Sequence, residues 1–149
     1  MRLEFIDIQN FRKLKSCRID ISKEQTILVG PNNSGKTSAM DVLSFFLADK
    51  SKLSTRDFTL NNWIELNRLS SLWLKEENPD EEFWSVQIVL IRKLVPQVDL
   101  WLNVSETEVH HVHNLIPTLD WAGGRLGIRL IYEPENIELL FNEFKAAFE

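Results

Sequence analysis

Apolar residues recur along this chain with two different periods, and each change of period marks an element boundary. Leu3, Phe5 and Ile8 fall on or near one face, and Cys17, Ile19 and Ile21 alternate with Arg18 and Asp20. With the polar bend Asn10 to Ser16 between them, this predicts a β-hairpin over residues 2–21. Gln25 to Val29 is a short apolar, β-branched run that reads as a buried strand. Ser38 to Leu47 predicts a helix with Met40, Leu43, Phe46 and Leu47 on one face. Residues 49–60 are polar without a period and read as a loop. Asn62 to Glu77 suits a helix through Trp63, Leu66, Leu69, Leu72 and Trp73.

The second half follows the same rules. Asn78 can cap a helix, Pro79 takes its first position, and Asp80, Glu81 and Glu82 crowd its first turn, Glu81 at capping-box spacing. Phe83, Val86, Leu90 and Leu94 share a face, and Pro96 stops the run. Val86, Ile88, Val89 and Ile91 are β-branched, so a strand remains an alternative there. Val98, Leu100, Leu102 and Val104 alternate as in a half-buried strand, and 106–119 reads as a short helix ending near Pro117. A Gly123-Gly124 turn leads to a strand over Arg125 to Tyr132. Glu135 to Phe148 is an amphipathic helix with Ile137, Leu140, Phe141 and Phe144 together. There is no internal repeat and no low-complexity segment.

Between the predicted strand at 25–29 and the predicted helix at 38–47 lies Gly30-Pro31-Asn32-Asn33-Ser34-Gly35-Lys36-Thr37, a complete Walker A phosphate loop. Glycines let the backbone curl around an anion, successive N–H groups point inward, and a helix N-terminus adds partial positive charge. The candidate nucleotide-binding residues are Gly30, Asn32, Asn33, Ser34, Gly35, Lys36, Thr37 and Ser38. Lys36 is the candidate catalytic residue, placed to neutralise the β- and γ-phosphates. The Thr37 hydroxyl is the candidate Mg²⁺ ligand. ATP and Mg²⁺ are the expected cofactors.

Composition narrows the surroundings of this motif. A net charge of −5 over 149 residues argues against a protein-wide nucleic-acid footprint. The single cysteine, Cys17, rules out an internal disulfide and fits a reducing cytosol. No secretory leader pattern and no run near the length of a membrane helix is present, so a cytoplasmic chain with no membrane partner is expected. His110, His111 and His113 with Glu108 lack the spacing of a metal site and read as a polar or contact face. The tryptophans at 63, 73, 84, 101 and 121 read as core or interface residues.

Taken together, Met1 to Arg12, the acidic-apolar return strand and Thr26 to Thr37 resemble the amino end of RecF/SMC-like ABC ATPases. The Gly-Pro-Asn-Asn-Ser-Gly-Lys form of the loop is most similar to the OLD family (overcoming lysogenization defect). Such ATPases are commonly joined to a Toprim nuclease and often serve anti-phage defence. The detailed match covers residues 1–47; Arg56-Asp57-Phe58 and 115–121 are weaker echoes. The resemblance implies an α/β P-loop NTPase of the ABC/RecF-SMC type, its first lobe carrying the amino-terminal hairpin. A P-loop core over about 1–48 would be followed by a lobe of helices and antiparallel strands over about 49–149. It implies a dimer or higher oligomer through the ATPase heads, with DNA reached indirectly through a nuclease. It also assigns Arg12 to a phosphate, where composition alone reads a solvated turn; a guanidinium suits that task because it is planar and always charged.

Two expected motifs are missing: a Leu-Ser-Gly-Gly-Gln-like signature and a Walker B strand ending Asp-Glu. Leu130 to Asn136 imitates the latter, but Tyr132 stands at the Mg²⁺-linked carboxylate position, and a neutral phenol cannot replace it. Neither Gln87 nor Gln97 suits a Q-loop. Asp120 to Gly123 imitates a GTPase motif, but Pro117 breaks the approaching strand and no guanine-reading motif exists. The expectation is therefore an ATP-binding portion with poor turnover alone. A non-catalytic assembly platform and a P-loop small-molecule kinase are the alternatives.

Overall fold

The computed structural model describes residues 1–48 and 53–148. Strand β1 (Arg2–Phe11) turns tightly at Arg12-Lys13 into β2 (Leu14–Asp20), pairing Phe11 with Leu14 and Ile8 with Cys17. Strands β3 (Gln97–Val104) and β4 (Gly124–Ile131) complete an antiparallel sheet of order β2-β1-β3-β4. A register shift between Leu3 and Phe5 moves the pleat by one residue. Leu3 therefore joins Ile6 and Ile8 on the packed face, while Phe5 turns to the other and stacks on Trp101 at 5.5 Å. This corrects the expected grouping of Phe5 with Leu3 and Ile8.

Helix α1 (Lys36–Leu47) lies on the packed face. Its Ala39 and Val42 are buried with Ile6, Ile8, Phe11 and Val98. Small side chains at these positions let the helix approach the sheet closely, which turns Met40 outward, against expectation. Leu43 and Phe46 do pack inward as expected.

A second core joins α2 (Trp63–Trp73), α3 (Glu81–Arg92) and α4 (Ile137–Ala146) through Leu69, Trp73, Ile91, Val95 and Phe141. Segment 81–92 is thus a helix, not the alternative strand. Its cap is Asp80, whose carboxylate accepts from the Phe83 amide at 2.8 Å, rather than Asn78. Residues 106–112 form a 3₁₀ segment that closes a third cluster of Val104, Val112 and Leu126. Of the expected loop at 49–60, residues 49–52 lie outside the described residues, and 53–60 contains short 3₁₀ turns at 55–57 and from Leu60. Among the described residues no helix is long and apolar enough to cross a membrane.

The expected strand at Gln25 to Val29 does not form. These residues belong to no strand, and Ile27 and Val29 are 68% and 88% exposed. A strand exists only through hydrogen bonds to a neighbour, and none of the described residues runs alongside it. Leu28 still packs against the Ile6 cluster and anchors the segment where the phosphate loop begins.

Candidate functional site

The phosphate loop is built by two backbone excursions. Asn33 (φ 66°) and Gly35 (φ 96°) both take left-handed conformations, and Ser34 N–H closes a turn on Pro31 O at 3.3 Å. At Gly35 a side chain would be strained, and a Cβ would also lie 2.9 Å from Leu14 Cδ2. At Gly30 a Cβ would come within 3.0 Å of Ser34 Oγ and 3.9 Å of Lys36 Nζ, crowding the side chains that pack over the loop. Helix α1 begins at Lys36 with no side-chain cap, and its first bond runs from Ala39 N to Gly35 O at 2.9 Å. The amides before Ala39 therefore have no intrahelical acceptor.

Lys36 folds back over its own loop, donating to Gly30 O and Pro31 O at 2.6 Å each and to Ser34 Oγ at 3.2 Å. Its ammonium thus sits at the loop's centre on oxygen ligands, where an anion's oxygens would compete for it.

The loop opens onto a cleft of about 750 Å³. Asn32, Asn33, Ser34, Gly35, Lys36, Thr37 and Ser38 form one wall, and Arg12 and Lys13 of the hairpin turn form another. The remaining wall was missed as a unit in the sequence: Thr55, Arg56, Phe58, Leu60 and Trp63. Only the Arg56-Asp57-Phe58 echo hinted at it, because nothing local in a sequence reveals which distant loop faces a motif. Gly30, also expected in the site, lies at the loop's base next to Lys36 rather than in the cleft lining.

Charge separates this cleft from the rest of the chain. Arg12, Lys13, Lys36 and Arg56 line it, and no Asp or Glu among the described residues does, in a chain of net charge −5. Arg12 itself is ion-paired to Asp57, from Nε to Oδ1 at 2.9 Å, and to Asp41 of α1 through Nη1. Partial burial would lower the Arg12 pKa, but the bonds to Asp41 and Asp57 outweigh it and raise the value. For Asp57, burial acts to raise the pKa, and the Ser54 amide, Arg12 and the Ser54 hydroxyl together pull it below the ordinary range.

These residues fit a nucleoside triphosphate. Uncapped amides and lysine suit phosphate, Phe58 and Trp63 offer apolar area for a base, and the Thr37 hydroxyl offers a single oxygen donor. One protein donor suffices for a cation that keeps most of its waters. The carboxylate that would orient water is not in the lining. Tyr132 follows edge strand β4 and packs edge-on against Phe45 and Phe58, while Glu133 pairs with Arg92. The three histidines gather no cluster able to hold a metal among the described residues.

Sheet, loop and cleft define a partial α/β P-loop NTPase domain. Residues 1–114 match the AAA ATPase domain family, and the chain belongs to it. It is 21% identical over 140 residues to the DNA replication and repair protein RecF of Clostridium tetani, covering 94% of this chain and 34% of that protein. It is 41% identical over 54 residues to the chromosome partition protein Smc of Methanocaldococcus jannaschii, covering 36% of this chain and 5% of that one. A RecF of Vibrio campbellii is 46% identical over 43 residues, 29% of this chain and 12% of that protein. The chain spans about a third or less of these curated relatives. The chain is thus a portion of an ATPase domain with similarity to RecF and Smc proteins.

Proposed function

We propose that this chain binds MgATP in the cleft between its phosphate loop and hairpin turn, as the nucleotide-binding portion of a larger ATPase. The supporting observation is that four cations, and among the described residues no carboxylate, line the cleft at the uncapped start of α1. Lys36 would exchange the carbonyls of Gly30 and Pro31 for phosphate oxygens, and amides within residues 32–37 that are not bonded inside the loop would hold the phosphates. Thr37 would ligate Mg²⁺, which would offset phosphate charge. Arg12 adds a guanidinium donor, and Phe58 with Trp63 offers an apolar wall to the base. Hydrolysis would draw on carboxylates and a signature outside the described residues, supplied in a dimer of ATPase heads. The RecF and Smc resemblances favour work on DNA. The Gly-Pro-Asn-Asn-Ser-Gly-Lys loop favours an OLD-like ATPase that gates a DNA nuclease, in a setting such as anti-phage defence.

Titration of the chain with MgATP tests the site. Lys36→Ala should weaken binding by at least tenfold, the scale of one charge-assisted contact. Equal binding by both proteins would refute the site, and no binding by either would favour an assembly platform.

A further inference from the structure

Arg12 does not hang freely in the cleft wall. Its backbone sits at φ 50°, and its N–H donates to Asp57 O at 2.8 Å while its Nε donates to Asp57 Oδ1 at 2.9 Å. One residue therefore grips both the main chain and the side chain of Arg12. Asp41, one helical turn beyond Thr37 in α1, takes Nη1. Neither carboxylate lines the cleft that Arg12 lines. Among the described residues Nη2 has no partner.

We propose that Asp57 and Asp41 are positioning residues for the nucleotide site, holding Nε and Nη1 so that Nη2 of Arg12 is the donor offered to phosphate. This rests on the nucleotide-binding reading above. Asp57 is itself held: its Oδ2 accepts from Ser54 N at 2.8 Å and Ser54 Oγ at 2.9 Å, and its side chain is only 14% exposed. The same turn carries Thr55 and Arg56, which line the facing wall. Backbone bonds tie it to the hairpin, through Arg12 N and through Thr59 N donating to Asn10 O at 3.3 Å. The carboxylate that aims the arginine thus belongs to the segment that forms the opposite side of the cleft. An arginine already fixed in one rotamer loses less freedom on meeting an anion than an unrestrained one. Two carboxylates against one guanidinium also leave this cluster net negative. Arg12 then contributes direction, while Lys13, Lys36 and Arg56 contribute attraction.

The test is a double-mutant cycle on MgATP affinity with Arg12→Ala, Asp57→Asn and the double variant. Asparagine has a single acceptor oxygen where the aspartate uses one for Ser54 and the other for Arg12, so it cannot serve both. Asp57→Asn and Arg12→Ala should each weaken ATP about tenfold, and the double variant should be within about twofold of Arg12→Ala. Multiplying effects would overturn the proposal, because Asp57 would then act independently of Arg12. Asp41→Asn, at a more exposed carboxylate, gives the same cycle without touching the Ser54 turn, and ligand-free melting checks folding. Loss of binding in Lys36→Ala with wild-type affinity in Asp57→Asn and Asp41→Asn would remove the positioning role alone. Equal binding by wild type and Lys36→Ala would remove the nucleotide reading and this role together.

Discussion

Asn10→Ala should be the most damaging single change near the hairpin turn. Asn10 is buried, and its Nδ2 donates to Lys93 O at 2.9 Å and Val95 O at 3.2 Å, while its Oδ1 accepts from Asn62 Nδ2 at 2.9 Å. Asn62 in turn donates to Leu94 O at 2.9 Å. These bonds fasten the end of β1 to the segment between α3 and β3, and so join the sheet to the helical core. Alanine removes the Asn10 bonds at about 1 kcal/mol each. It also leaves a left-handed residue (φ 58°) without the polar side chain that tolerates that region, adding about 1 kcal/mol. Asn62 keeps its bond to Leu94, so the loss is confined to these terms and sums to about 4 kcal/mol. For a chain of this size that is a fall in Tm of about 8–16 °C. Urea unfolding at neutral pH should show the loss at unchanged slope, and Asn10→Gly should recover about 1 kcal/mol by relieving the backbone alone. A loss below about 1 kcal/mol for Asn10→Ala would refute the network as a structural tie.

Gly35→Ala meets both a φ of 96° and the Leu14 methyl at 2.9 Å; it should lose about 1–2 kcal/mol of stability, and a thermal melt matching wild type would contradict the loop geometry. Acid unfolding offers a further check. Asp57 titrates below its unfolded value of about 3.9, so its contribution is present above that value and disappears as pH falls through the folded one. Asp57→Asn should therefore lose less stability than wild type between pH 6 and pH 3, and parallel stability curves would rule this out.

Local patterns carried much of the fold. The alternation at 98–104 and 125–132 became β3 and β4, and the period at 135–148 became α4, because each face was decided by its own residues. The phosphate loop was equally readable, since its glycines and lysine lie within eight consecutive positions. Long-range pairing was not readable. That β1 sits between β2 and β3 follows from contacts spanning some ninety residues. The partners of Arg12 lie 29 and 45 residues away, with ordinary loop and helix sequences around them. Composition also misled at 25–29, where β-branched residues suggested a strand that has no neighbour to bond to. At α1 the larger Met40 suggested the inward face, but close approach favoured Ala39 and Val42.

The bare stretch leading into the phosphate loop has a practical side. Open amides and carbonyls beside exposed Ile27 and Val29 are a template onto which any extended apolar peptide can add itself, including the same stretch of another molecule. Replacing Val29 with lysine would discourage clumping, and because the next residue is Gly30, it would also disturb the entry to the loop over which Lys36 folds.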